Sequence, residues 1–186
     1  MTRPSDHPTI ETGRIGVLLV NLGTPDDLST ASVRRYLKEF LADPRVVEIP
    51  KLIWWLVLNG IILNTRPKKS AAAYAKIWRK VEDESPLRYF TRLQAEKLAQ
   101  HYPDLSIDYA MRYGQPSIAT KMAKLQQEGC DRILIVPLYP QYSSTTNASV
   151  NDAVFDYLKT LRWQPSIRIA HPWYGEPAYI AALAQQ

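Results

Sequence analysis

Hydrophobic positions along this chain alternate between two patterns. Ile15-Gly-Val-Leu-Leu-Val-Asn21 is a continuous apolar run, the signature of a strand buried on both faces. Leu105 to Met111, Arg132 to Leu138 and Ser166 to Ala170 repeat it as three further strand candidates. Between them the apolar residues recur at helical spacing. Ser29 can cap a helix through about Leu41 that places Val33, Tyr36, Leu37 and Phe40 on one face, and Asp43-Pro44 stops it. An Ala-rich helix follows around Tyr74 and Trp78, and Pro86 opens another to about His101. Further helices span Ser117 to about Glu128 and Asn147 to Leu161, the latter with Val150, Val154, Tyr157 and Leu158 inward. Strands alternating with helices imply right-handed crossovers, hence an α/β fold with a doubly wound, Rossmann-like, four-stranded parallel sheet flanked by helices.

That topology gathers the carboxyl ends of the strands on one edge, where ligands of open α/β sheets bind. Each predicted exit carries polar or aromatic residues: Asn21 to Thr24, Arg112-Tyr113, Tyr139 to Thr146, and His171 to Tyr174. Tyr139-Pro-Gln-Tyr-Ser-Ser-Thr-Thr146 has two readings, a pocket wall of rings and hydroxyls, or a loop running into a helix N-cap. Tyrosines and an arginine around one crevice suit a large, flat, partly apolar ligand with acidic substituents. Rings stack on its face and guanidinium groups hold carboxylates.

Composition narrows the classes. With 186 residues, one domain and a core of useful size are expected, and the proportions of 46% hydrophobic and 22% charged residues are those of a globular protein. The single cysteine, Cys130, excludes an intramolecular disulfide framework and fits a reducing, cytoplasmic compartment. A net charge of +5 favours anionic partners but is too modest to indicate nucleic acid. Residues 1–14 are polar, with Pro4, Pro8 and Gly13, and read as a flexible tail without a secretory signal.

The apolar patch at 52–63, beginning Leu52-Ile-Trp-Trp-Leu-Val-Leu58, is too short to span a bilayer, which takes about twenty residues. Apolar on all sides, it either packs within the protein or faces a pocket, a partner or a membrane interface, and adjacent tryptophans with nearby basic residues suit the last. Other chemistries find little support. Leu22-Gly-Thr-Pro25 has one glycine, so neither a dinucleotide fingerprint nor a phosphate loop is present. His7, His101 and His171 lack a partner at metal-ligand spacing, and Ser143 and Ser144 lack a nucleophile elbow.

Five landmarks in order give the chain a resemblance to a known family. They are Leu-Leu-Val-Asn-Leu-Gly-Thr-Pro at 18–25, Thr-Arg-Pro-Lys-Lys-Ser at 65–70 with Tyr74 and Ile77-Trp78, Ser85-Pro86-Leu87, Met111-Arg112-Tyr113, and the Tyr139–Thr146 run. In register, they resemble the N-terminal half of the ferrochelatases, enzymes that insert Fe(2+) into protoporphyrin IX in haem biosynthesis. The resemblance implies a chelatase-type α/β domain over 15–177, an apolar pocket lip at 49–65, and a connecting helix beginning at 178–186 that leads to a second half absent from this chain. Leu22 then stands against the porphyrin face, where some relatives carry a metal-ligating tyrosine; leucine can only pack. Arg66, Tyr74 and Ser85 match positions that contact the macrocycle or its propionates. Arg112, Tyr113 and Tyr142 match pocket-lining positions. Glu84 departs from the glycine common before Ser85.

The family's catalytic histidine and glutamate lie in its second half, so no catalytic or metal residue is expected here. The implied chemistry is distortion of the porphyrin, removal of two pyrrole protons and iron entry from the histidine side, with no prosthetic group. Partners are porphyrin and ferrous iron, with peripheral contact at the inner face of the membrane through 52–63 and no nucleic acid. A non-catalytic module that carries porphyrin is the alternative, and a dimerising short chelatase a third reading that would need His171.

Overall fold

The structure, a computed structural model, describes residues 13–185. The polar tail expected at 1–14 lies almost wholly outside them. Four strands, β1 (Arg14–Gly23), β2 (Ser106–Tyr113), β3 (Cys130–Pro137) and β4 (Ser166–Ile169), form one parallel sheet in the order β2-β1-β3-β4. The doubly wound sheet expected from the apolar runs is therefore present.

Helices α1 (Thr30–Ala42), α2 (Lys51–Val57), α3 (Leu63–Ile77) and α4 (Pro86–His101) lie between β1 and β2. Single helices, α5 (Ile118–Gln127) and α6 (Ser149–Lys159), form the next two crossovers, and α7 (Pro177–Ala184) follows β4. The caps account for several starts. Ser29, Ser85 and Ser117 each accept from an amide three residues on, at 3.1, 3.2 and 3.2 Å, and satisfy donors that a first turn leaves unpaired.

Alternation along the central strand explains the layering. Leu18 and Val20 face one side with Met122, Leu125, Val150 and Val154 of α5 and α6. Val17 and Leu19 face the other, against Ala95 and Leu98 of α4. Since strand side chains alternate with period two, one run feeds two cores.

Two expectations change. The segment 52–63 and the Ala-rich helix are a single helical run, α2 passing through a π-helical segment (Leu58–Ile62) into α3 despite Pro67. Proline cannot donate to the carbonyl four residues back, which is Leu63 O. Arg34 fills that vacancy with its guanidinium and also donates to Asn64 Oδ1 at 2.9 Å. The helix expected from Asn147 starts earlier, as a π-helical turn over Ser144–Ala148. Its hydroxyls bond mainly to one another, with Ser143 Oγ 2.8 Å from Thr145 Oγ1 and 2.9 Å from Thr146 Oγ1.

Candidate functional site

Where β1 ends, the chain opens into a cavity of about 580 Å³. Asn21, Leu22 and Thr24 line it from the strand exit, Tyr36 from α1, Tyr74 and Ile77 from α3, and Ser85 with the first turns of α4 from the far side. Every lining side chain is uncharged. Bonds within the lining and behind it fix the cavity's shape. Asn21 Nδ2 donates to Thr91 Oγ1 at 3.0 Å, and Asn21 Oδ1 accepts from the Leu22 amide at 2.9 Å. Arg88 reaches back from α4 to donate to the carbonyls of Pro25 and Asp26 at 2.9 and 3.2 Å.

The tyrosines are neutral donors. Tyr36 OH donates to Gly23 O at 3.3 Å, and its ring meets Tyr74 edge-on at 6.2 Å. Burial pushes the Tyr36 phenol well above its ordinary range, and the neighbouring Tyr74 adds to the shift. Burial raises Tyr74 as well. Neither offers a phenolate to a metal near neutral pH.

The neighbouring exit is built differently. Arg112 Nε donates to Ser149 O and Oγ at 2.8 and 2.7 Å, and its terminal nitrogen meets Asp43 Oδ2 at 2.7 Å. Tyr113 OH and Ser149 Oγ donate to that same oxygen at 2.7 and 2.6 Å. Burial disfavours the Asp43 anion, but the bonds from Ser149, Tyr113 and the Arg45 amide, with the Arg112 charge, outweigh it and hold the carboxyl below its ordinary range. Burial pushes the Tyr113 phenol up to about 12. Both side chains are thus spoken for.

Of the seven positions singled out by resemblance, Leu22, Tyr74 and Ser85 meet at this cavity. Ser85 serves also as the α4 cap. Arg112 and Tyr113, expected to line a pocket, instead form the closed node with Asp43; Tyr113 reaches the cavity only through rings, its edge on Phe40 at 5.1 Å and Phe40 stacked on Tyr36 at 6.1 Å. Arg66 lines a separate hollow of about 500 Å³ with Lys69 and Ser70. Tyr142 is 62% exposed on the loop after β3, outside the cavity lining. Beside Ser85, the left-handed conformation falls on Asp83 (φ 50°), and Glu84 pairs with Arg92 at 2.6 Å. The glycine departure at 84 is thereby accommodated.

Asp43 and Ser149 were not singled out by sequence; Asp43 reads there as a helix stop and Ser149 as an ordinary helix residue. Among the described residues, no three His, Cys, Asp or Glu side chains converge as a metal site, and no helix is long and apolar enough to cross a membrane. His171 is exposed after β4.

Comparison with known proteins adds a family-level match: the ferrochelatase family model covers residues 14–186. Proteins named ferrochelatase are similar over nearly the whole chain. That of Rhizobium etli CFN 42 is 55% identical over 98% of this chain and 54% of its own length. The Mesorhizobium japonicum protein is 55% identical over 96% and 51%, and the Agrobacterium fabrum protein 50% identical over 97% and 54%. The chain spans about half the length of the curated relatives it matches.

Proposed function

The chain belongs to the ferrochelatase family, and from that premise we propose that it is the porphyrin-holding part of an enzyme that inserts Fe(2+) into protoporphyrin IX for haem synthesis. The observation that carries this is the uncharged cavity at the β1 exit, with Leu22, Ile77 and Phe90 as apolar surface and Asn21, Ser85 and the two tyrosines as sparse polar contacts. A flat, largely apolar macrocycle suits such a lining better than a phosphate or a nucleotide does. Its carboxylates are directed instead to Arg66, about 12 Å along α3 from Tyr74 at 1.5 Å per residue.

Within that reaction these residues bind and orient. Leu22 packs on the ring without a lone pair for iron, and Tyr36 and Tyr74 stay protonated. Holding the substrate part-way to its reacting shape is the contribution such a wall makes. Iron entry displaces two pyrrole protons, and the base that takes them is assigned to the half of the family's length that this chain does not span. The exposed side chains Leu52, Ile53, Trp55 and Leu56 are the contact through which the lip meets a membrane peripherally.

Titration of the chain with protoporphyrin IX, followed by Soret absorbance, tests this. Saturable binding is expected, with Leu22→Glu lowering affinity at least about tenfold by placing a charge against the ring, and with no iron or zinc insertion by the chain alone. Absence of binding overturns the reading, and efficient insertion overturns the division of labour.

A further inference from the structure

A second cavity lies behind the lip and shares no lining residue with the first. Val47 and Ile49 before α2, with Trp54, Trp55 and Leu58, wall a hollow of about 290 Å³, half the volume of the first. Its one charged lining group is Lys51, which is exposed and forms no ion pair among the described residues. The Trp54 indole N–H is already committed to Leu41 O at 2.6 Å. Arg45 nearby is held by Asp152 at 2.7 and 3.1 Å. Alongside the hollow, α2 presents Leu52, Ile53 and Leu56 outward, 76%, 58% and 59% exposed.

We propose that this hollow takes one acyl chain of an acidic membrane lipid, with the lipid's phosphate on Lys51. The proposal rests on the reading that segment 52–63 meets a bilayer. Charge and polarity select the occupant. A peptide would bring backbone carbonyls and amides that need partners, and apart from Lys51 and the Trp55 indole N–H this lining offers no free side-chain donor and no free side-chain acceptor. An acyl chain brings none, and an anionic headgroup complements the single cation. The acidic leaflet that attracts Lys51 also presents the chain to the hollow.

The test uses the full chain with vesicles of phosphatidylcholine, alone or mixed with phosphatidylglycerol, whose acyl chains carry bromine. Cosedimentation reports binding, and the part of the tryptophan quenching that Trp54→Phe removes in a Trp55→Leu background reports entry of the chain, since Trp78, Trp163 and Trp173 also emit. Acidic vesicles should bind and quench. Lys51→Gln should weaken binding to them about fivefold and leave neutral vesicles unaffected. Val47→Phe, which fills the hollow, should remove most of the quenching. Leu52→Ser, outside the hollow, should weaken sedimentation of both vesicle types. If acidic vesicles bind while Lys51→Gln and Val47→Phe change nothing, the hollow proposal falls and the lip reading stands. If no vesicle binds, the lip reading falls and takes the proposal with it. Quenching by monomeric bromododecanoate alone assigns the hollow to a free fatty acid and overturns the proposal.

Discussion

The exits of β1 and β2 are adjacent in the sheet, Gly23 paired with Tyr113, yet one opens and the other is closed. Gly23 has φ +113°, and a Cβ there would collide with the Tyr113 carbonyl, so the two backbones approach as closely as glycine permits. Past that point β1 lays neutral side chains along a cavity. Beyond β2, Arg112 and Tyr113 meet an acid and a hydroxyl supplied by α1's cap and α6. The difference lies in what neighbouring elements bring. A strand exit presents chemistry to a ligand only where no buried counter-group has already claimed it.

The largest expected effect breaks the closed side. Asp43→Ala removes the acceptor of three side chains and leaves the Arg112 charge, 16% exposed, without its carboxylate. Loss of one partner of a buried pair costs about 3 kcal/mol, to be read from urea denaturation near neutral pH. Its pH dependence identifies the cause. Asp43 ionises more readily folded than unfolded, so it adds stability above the unfolded carboxyl range near about pH 4 and loses it as pH falls through the folded value. The wild type should weaken on acidification below that range, and the variant less steeply. Some slope must remain, because Asp108 is held low in the same way: burial opposes its charge, but Lys121 and Lys124 outweigh it. An unchanged slope in Asp43→Ala would mean the node carries no linkage.

Sequence made the scaffold legible and left half of this comparison hidden. The four strands could be read because each is a short apolar run bounded by turn chemistry, and several helix starts because Ser29, Ser85 and Ser117 are caps. Three cavity residues were also within reach, once Leu22, Tyr74 and Ser85 were read in register with the family's landmarks. Closure of the β2 exit was not legible, since Asp43 and Ser149 are 106 positions apart and neither carries a local signal. The unbroken helix through Pro67 was hidden likewise, its vacant carbonyl being filled by Arg34 from another helix. Periodicity reports which face is buried; it does not report which polar groups find each other.

A paired substitution sharpens the contrast at intermediate size. Tyr74→Ala on the open side should weaken protoporphyrin binding about tenfold, the worth of one aromatic contact, and lower the urea midpoint less than Asp43→Ala does, because the ring is only partly buried and leaves no charge unpaired. Tyr113→Phe on the closed side should do the reverse. It leaves Asp43 one donor short and costs about 1 kcal/mol of stability, while the Soret titration stays as in the wild type. If both variants lose affinity equally, the rings of Tyr113, Phe40, Tyr36 and Tyr74 act as one wall and the distinction between the exits fails.

The smallest effect concerns the two arginines. Arg66 is exposed and, among the described residues, free of ion pairs, so a pair with a porphyrin carboxylate as proposed would act through solvent. Such a pair contributes up to about 1 kcal/mol and is screened by salt. Arg66→Gln should therefore lower protoporphyrin affinity roughly threefold at low ionic strength and not at all in high salt or with the porphyrin diester. Arg112→Gln should leave affinity unchanged in both, since that guanidinium already serves Asp43 and Ser149. A salt-insensitive loss at Arg66 would mean that its guanidinium is desolvated against the macrocycle. The cavity and the basic hollow on α3 would then be one site, and the boundary of the open exit would move two helical turns toward the lip.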